Sequence, residues 1–143
     1  MIILDTNVLS ELMKASPAAK VVGWINSQPA ALLFTTSLTV AEILYGVALL
    51  PSGKRRSQIA QQVQEMMDED FRERILPFDA AAAQEVAEIA AHRKLKGLPL
   101  TQIDGQIAAI AKLRHATLAT RKVSDFKECG VALYDPWNNT ASL

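Results

Sequence analysis

The chain has 143 residues, half of them apolar and 21% charged, a composition typical of a folded domain rather than a disordered segment. Its fifteen basic and fifteen acidic side chains balance, so the overall charge does not indicate a nucleic-acid-binding protein. A lone cysteine excludes an internal disulfide framework, and no apolar run of about 18 residues is present to span a membrane. With no basic leader before the first apolar run, we expect a cytoplasmic protein with a single domain over residues 1–143.

Apolar runs and amphipathic stretches alternate along the first half of the chain. Ile2–Leu4 is an apolar run with two β-branched residues, which predicts a buried strand. Asn7 is a good N-cap for a helix that ends at Leu12. The next predicted elements are a helix over 18–27 that Pro29 ends, a strand over 31–36, and a helix opened by Ser37 and stopped by Pro51.

The second half of the chain continues this alternation. A helix is predicted over 54–71, followed by a strand over 74–78 that Pro77 places at an edge. The next helix, over 80–96, is capped by Asp79 and ended by Gly97. Thr101 opens a further helix with an apolar stripe of Ile103, Ile107, Ile110 and Ala111, and the last two strands are predicted over 116–120 and 131–134. Such alternation predicts an α/β fold. We expect a central, mostly parallel sheet with helices on both faces, in three α/β/α layers.

Four acidic residues fall where the active site of such a sheet is expected, beyond the carboxyl ends of the strands. Asp5 directly follows the first strand, and an unpaired buried carboxylate there would protonate or bind a cation. Glu42 and Asp104 lie in the first turns of two helices, and Asp125 follows the fourth predicted strand. We therefore expect these four side chains to converge at one edge of the sheet.

A divalent cation would relieve the repulsion among carboxylates gathered in this way. Mg²⁺ or Mn²⁺ fits best, because these ions take hard oxygen ligands and combine a few carboxylates with water and substrate phosphates. Such an ion orients a water molecule and neutralises charge on a phosphodiester. Zn²⁺ is disfavoured, since the two histidines and the lone cysteine have no ligand spacing among them.

Each acid also has a structural interpretation when it is considered alone. Asp5 and Asp125 are compatible with turn and loop positions. Glu42 lies three residues after Thr39, and Asp104 three residues after Thr101, which is the spacing of a capping box at a helix N-terminus. The functional prediction depends on the set of four acids and not on any one of them.

The stretches MIILDTNVLSEL, TSLTVAEILYGV, LTQIDGQIAAIA, LATRKVSDF and ALYDPW together resemble the PIN-domain family, and within it the VapC-like toxins of bacterial toxin–antitoxin pairs. The resemblance extends over essentially the whole chain. It implies a PIN fold and a Mg²⁺- or Mn²⁺-dependent endoribonuclease that a cognate antitoxin inhibits through a peptide near the active site. We also expect a homodimer, because apolar helices lie near the carboxyl ends of the predicted strands.

Carried over by position, the family's acidic residues fall on Asp5, Glu42 and Asp104. Asp5 and Asp104 would be the main metal ligands, and Glu42 would bind the metal or position the attacking water. Asn7 and Thr120 fall where relatives have polar residues that orient the carboxylates or contact phosphate. Asp125 would assist at the fourth acidic position.

Lys122 departs from the family pattern, because many relatives have Asp or Asn directly after the Thr-Arg pair. A lysine there would pair with the acids, take part of the place of a second metal ion, or bind the scissile phosphate. Two alternatives to a nuclease therefore stay open. One is a phosphotransfer module, either a receiver domain or a haloacid-type phosphatase, with Asp5 as the phosphate acceptor. The other is a catalytically silent binding protein with the same fold, in which Lys122 neutralises the site.

Overall fold

In the computed structural model, which describes residues 1–143, six strands form one sheet. They are β1 (Ile2–Leu4), β2 (Leu33–Thr36), β3 (Ile75–Leu76), β4 (Thr117–Ala119), β5 (Ala132–Asp135) and β6 (Thr140–Ser142). Their order across the sheet is β3-β2-β1-β4-β5-β6, and only β6 runs antiparallel to its neighbour. The predicted mostly parallel sheet is confirmed, and β3 is indeed an edge strand.

Six α-helices cover the two faces of this sheet. They are α1 (Thr6–Leu12), α2 (Ala19–Ser27), α3 (Ser37–Ala48), α4 (Lys54–Glu65), α5 (Ala80–Leu95) and α6 (Gln102–Leu113). Neighbouring strand residues point to opposite faces, so Ile3 and Leu118 pack in a core with α5 and α6, whereas Leu4 and Ala119 pack in a second core with α1 to α4. The chain therefore has the expected three layers. No helix has both the length and the apolar character that a membrane crossing requires.

The sheet topology places the start of α1 at the centre of the molecule. Strand β1 lies between β2 and β4, and the three strands run in the same direction. Asp5, which follows β1, donates its backbone N–H to the carbonyl of Ala119 at the end of β4 over 3.0 Å. The carboxyl ends of the central strands therefore converge on Asp5, as the sequence predicts.

Some predicted element boundaries are wrong. Residues 30–32 form a 3₁₀ turn, so the second strand begins at Leu33 rather than at Ala31. The helix predicted over 54–71 is α-helical only as far as Glu65, and a π-helical turn follows over 66–70. Acidic residues in this turn oppose the helix dipole. Strand β6 was not predicted, because its three residues are exposed and carry no apolar pattern; they are ordered by antiparallel pairing with β5.

The helix N-termini divide into predicted and unpredicted caps. Asp79 and Thr101 cap α5 and α6 as expected, through side-chain oxygens that accept backbone N–H groups. Asp5 caps α1 in place of the predicted Asn7, because its carboxylate accepts the N–H of Thr6. In the stripe predicted on α6, Ile107, Ile110 and Ala111 are buried, but Ile103 is 38% exposed.

Gly97 follows α5 with a φ of +68°, the left-handed conformation that a glycine adopts after a helix C-terminus. The prediction that this glycine ends the helix is confirmed, since α5 ends at Leu95. The chain then turns towards Thr101, which opens the helix that carries Asp104.

Candidate active site

Asp5 is the most buried acid of the site, with 1% of its surface exposed. Its Oδ1 accepts the backbone N–H of Thr6 over 2.8 Å. Its Oδ2 accepts the Thr120 hydroxyl over 2.8 Å and the Asn7 amide over 3.0 Å. Both carboxylate oxygens are therefore fixed by neutral donors, and none of these donors neutralises the charge.

Burial raises the pKa of Asp5 above its ordinary value. The hydrogen bonds from Thr120 and Thr6 and the positive charge of Lys122 act in the opposite direction, whereas the nearby charge of Asp104 raises the pKa further. The net upward shift means that the ionised form is poorly solvated here. A cation close to Asp5 would stabilise its ionised form.

Asn7 and Thr120 connect α1 to the segment after β4. The Asn7 amide lies 3.2 Å from the Thr120 hydroxyl, and the Asn7 carbonyl oxygen accepts the backbone N–H of Arg121 over 3.0 Å. Thr120 is fully buried and accepts the backbone N–H of Lys122 over 3.0 Å. Both residues that the resemblance identified thus contact Asp5 directly and hold it between two parts of the chain.

Asp104 lies in the first turn of α6, and 7% of its surface is exposed. The Thr101 side chain accepts its backbone N–H over 3.2 Å, so the capping interaction expected for Thr101 is present. The Asp104 carboxylate is engaged elsewhere: Lys122 Nζ lies 2.8 Å from Oδ1 and 3.0 Å from Oδ2. Asp104 is therefore paired with an internal ammonium group.

Lys122 belongs electrostatically to the whole acid site. Burial lowers its pKa, but the hydrogen bond to Asp104 and the negative charges of Asp5, Asp104 and Glu42 raise it by more, so the net shift is upwards. The ammonium group also lies 5.7 Å from the centre of the Phe126 ring. Lys122 is thus a protonated cation in the field of three carboxylates.

Glu42 lies in α3 and faces the start of α1. Its Oε1 accepts the Thr6 hydroxyl over 2.6 Å. The capping box predicted between Thr39 and Glu42 is wrong, because Thr36 caps α3 by accepting the N–H of Thr39. Strand β2 runs directly into α3, so the last strand residue takes the cap and Glu42 stays available to the site.

A groove of about 370 Å³ begins beside Glu42 and Thr6. Its walls come from α1, α3 and α4, and they include the basic residues Lys14 and Arg55. The sequence alone identifies neither residue as part of the site. These residues meet only through packing of separate helices, so no local motif identifies them.

Asp125 lies apart from the Asp5 network. It is exposed on a short 3₁₀ turn over Val123–Phe126, and its side chain makes no hydrogen bond within the chain. Together with Asp104 it lines a depression of about 300 Å³. Asp125 therefore adjoins Asp104 and does not join the Asp5 network.

The oxygen ligands of this site are of the type that Mg²⁺ and Mn²⁺ prefer, because every one is a carboxylate or a hydroxyl. In the present arrangement no three Asp, Glu, His or Cys side chains are close enough to share one ion. The Lys122 ammonium group contacts both oxygens of Asp104, and this carboxylate is the one that would otherwise face a metal ion. The residues thus fit a hard divalent ion in chemical type, and in this structure the cation bound by Asp104 is the Lys122 ammonium group.

Comparisons with known proteins place this geometry in context. A PIN domain profile matches residues 2–128. A VapC ribonuclease of Sinorhizobium fredii is 39% identical over 137 residues, which cover 96% of this chain and 98% of that relative. Toxin FitB of Neisseria gonorrhoeae is 38% identical over 139 residues, covering 97% of this chain and all of that protein.

The crystal structure of FitAcB from Neisseria gonorrhoeae contains a chain that superimposes on this one with a TM-score of 0.91. The two chains are 39% identical, and the match covers 96% of this chain and 99% of the other. The similarity therefore includes the sheet, both helical layers and the segments that carry the acid site.

Proposed function

This chain belongs to the PIN-domain family, and from that premise we propose that it is a ribonuclease, the toxin of a toxin–antitoxin pair, acting on RNA with a bound divalent ion. The observation that carries this proposal is the buried Asp5 carboxylate at the centre of the sheet edge, with Asp104 close enough to raise its pKa and Glu42 hydrogen-bonded to the neighbouring Thr6. All three acids lie close enough to influence the pKa of one ammonium group, Lys122. Such a cluster is adapted to a cationic ligand.

We propose that Asp5 and Asp104 are the main ligands of Mg²⁺ or Mn²⁺, with Glu42 as a third and Asp125 assisting from the neighbouring depression. The ion, when bound, would neutralise charge on the phosphodiester and polarise a water molecule. Thr120 and Asn7 would keep Asp5 in one orientation by their hydrogen bonds to Oδ2. Their role is to preorganise the site, which the chain achieves with buried and neutral groups.

For Glu42 the proposal has two alternatives, namely the third metal ligand or the group that positions the attacking water. The Thr6 hydroxyl engages its Oε1, which leaves Oε2 to orient the attacking water and to accept its proton. The phosphorus–oxygen bond to the leaving strand breaks as the water oxygen bonds to phosphorus, and the leaving oxygen takes a proton from solvent. Thr6 would act by holding the Glu42 side chain in place.

The groove beside Glu42 is the proposed path of the RNA strand. Lys14 and Arg55 line it and offer positive charge to backbone phosphates. RNA recognition of this kind favours single-stranded segments, whose bases are free of pairing. RNA as the substrate implies a cytoplasmic site of action, with residues 1–143 working as one domain around the six-stranded sheet.

A cognate antitoxin protein is the proposed partner, in keeping with the FitAcB complex to which the chain is similar. We also propose self-association into a homodimer. Leu44 and Tyr45 of helix α3 and Leu49, which follows the helix, are exposed at 43%, 67% and 67%, and we propose that a second copy contacts these apolar side chains.

The decisive experiment replaces Asp5 with asparagine and measures cleavage of a single-stranded RNA in Mg²⁺ and in Mn²⁺, with chelator as the blank. Asparagine caps helices as well as aspartate does, so the Asp5→Asn protein should keep its fold, as judged by circular dichroism. We expect cleavage to fall by at least about 100-fold, because the variant loses the central charge.

Asp68→Asn is the matched control, since Asp68 is an exposed acid on the π-helical turn after α4 and contacts Gln64 rather than the site. This control should cleave RNA at the wild-type rate. A folded Asp5→Asn protein with undiminished activity would contradict the proposed function.

The Lys122–Asp104 pair favours one second candidate, a catalytically silent binding protein of the same fold. It differs from the nuclease in a simple readout, because the wild-type chain would then cleave no RNA at any Mn²⁺ concentration. The phosphotransfer alternative gains no such support. Receiver domains and haloacid-type phosphatases usually have a second acid beside the phosphate-accepting aspartate, whereas Asp5 is followed by Thr6, Asn7 and Val8.

A further inference from the structure

Lys122 makes contacts that extend to both central carboxylates. Its ammonium group touches both oxygens of Asp104, at 2.8 and 3.0 Å. Its backbone N–H is donated to the Thr120 hydroxyl, which is itself donated to Asp5 Oδ2. The residue is therefore held at the site by its main chain and its side chain together.

We propose that the Lys122 ammonium group is a built-in counter-ion, which a divalent ion must displace from Asp104 before the acid site can be loaded. This inference rests on the proposed function, because it concerns the same acids and the same ion. Of the three roles considered for Lys122, it selects pairing with the acids, and it makes that pairing a control on metal loading.

Competition follows from the geometry of Asp104. Both of its oxygens face the ammonium group, so an ion at coordination distance from either oxygen would lie within a few ångströms of a second positive charge. The Asp104 side chain is 9% exposed, so solvent would screen this repulsion only weakly. Ion and ammonium group therefore exclude each other at Asp104.

Release of Lys122 is physically available. Its side chain is 41% exposed, and the flexible four-carbon stem allows the ammonium group to move outwards into water. Asp104 has no such freedom, because it lies in the first turn of α6 behind the Thr101 cap. The movable partner of the pair is thus the lysine, while the carboxylates stay in place for the ion.

The test is a calorimetric titration of the full chain with Mn²⁺, comparing the wild type with Lys122→Met. Methionine is unbranched and similar in length but carries no charge, so the competing cation is removed. We expect Lys122→Met to bind Mn²⁺ at least about 10-fold more tightly than the wild type. Without metal the variant should melt at a lower temperature than the wild type, and added Mn²⁺ should recover the difference.

Lys127→Met is the matched control, since Lys127 is an exposed lysine on the same loop and forms no ion pair with the acids. It should bind Mn²⁺ as the wild type does. Lys122→Gln serves as a second variant if the methionine variant fails to fold.

The outcomes separate this inference from the proposed function. Equal or weaker Mn²⁺ binding by both Lys122 variants, in proteins that still cleave RNA, would overturn the counter-ion role and leave the nuclease intact. Absence of both Mn²⁺ binding and RNA cleavage in the wild type and the variants would overturn both. Tighter binding in the Lys122 variants alone would support the inference.

Discussion

The carboxylates on the two sides of Asp5, Asp104 and Glu42, have different partners for their negative charge. On the α6 side, Asp104 is paired with Lys122 at hydrogen-bond distance. On the α3 side, Glu42 is held only by the neutral hydroxyl of Thr6 and faces a groove. The chain thus supplies its own cation to one carboxylate and leaves the other for a ligand from outside. In the proposed mechanism the first side controls metal loading and the second side receives the substrate.

Among the substitutions that test this comparison, Glu42→Gln should have the largest effect, and that effect is on RNA cleavage. The substitution keeps the shape of the side chain and removes the charge that we propose orients the attacking water. We expect RNA cleavage to fall by about 100-fold or more with little change in thermal stability, because Glu42 is only partly buried. Rates and melting curves of the purified proteins provide the measurement.

Thr6→Val sharpens the same prediction, since it removes the hydroxyl that holds Glu42 and leaves the carboxylate in place. A positioning role predicts a smaller loss, about 10-fold, in kcat rather than in KM. Wild-type kinetics in Glu42→Gln would show that the groove side has no part in the chemistry.

A smaller effect, on stability, is expected from Thr120→Val on the Asp5 side. Thr120 is fully buried, and its hydroxyl joins Asp5, Asn7 and the Lys122 backbone. Valine has nearly the same shape but leaves these groups without their partner. We expect the free energy of unfolding to fall by about 1–3 kcal/mol, measured by urea denaturation.

Thr117→Val is the control for this measurement, because Thr117 lies on β4, three residues before Thr120, and its side chain makes no hydrogen bond within the chain. It should unfold at nearly the wild-type urea concentration. Equal stability of the two valine variants would mean that the hydroxyl network is replaceable by water.

The smallest effect concerns Glu11, a buried acid near the end of α1 that accepts hydrogen bonds from Lys14 and from the backbone N–H of Ala18. The hydrogen bond from Lys14 lowers the pKa of Glu11 most, burial raises it, and the N–H of Ala18 lowers it further, so the net shift is downwards. A lowered pKa stabilises the fold above the ordinary glutamate pKa, and this contribution is lost as the pH falls through the folded-state pKa.

The melting temperature of Glu11→Gln should therefore lie below that of the wild type at neutral pH. The difference should shrink steadily in acid, and a melting series from neutral to acidic pH measures it. A difference that stays constant across the series would contradict the charge-based explanation.

The sequence predicts the layers and the strand ends well because both depend on local patterns. Apolar runs and caps such as Thr101 are encoded within a few residues, and Asp5 follows its strand directly. The capping-box spacing between Thr39 and Glu42 is misleading, because Thr36 at the end of β2 caps α3 instead. Whether a strand runs straight into a helix is not visible in a T-x-x-E pattern.

Contacts between distant parts of the chain set the limit of prediction. Lys122 and Asp104 are eighteen positions apart, and the lysine's choice of partner depends on how the loop after β4 packs on α6. The hydrogen bond from Thr6 to Glu42 likewise depends on how α1 packs beside α3. Strand β6 exists only because β5 offers a free edge, since its own residues carry no apolar pattern.

Asp5 begins helix α1 and also supplies the central carboxylate, so these two tasks share one side chain. Alanine at this position would remove both, with a loss of roughly 1 kcal/mol from the missing cap. Asp5→Asn separates them, because the amide oxygen still begins the helix. A disarmed version intended for high-yield expression or for co-crystallisation with a protein partner should therefore start from Asp5→Asn.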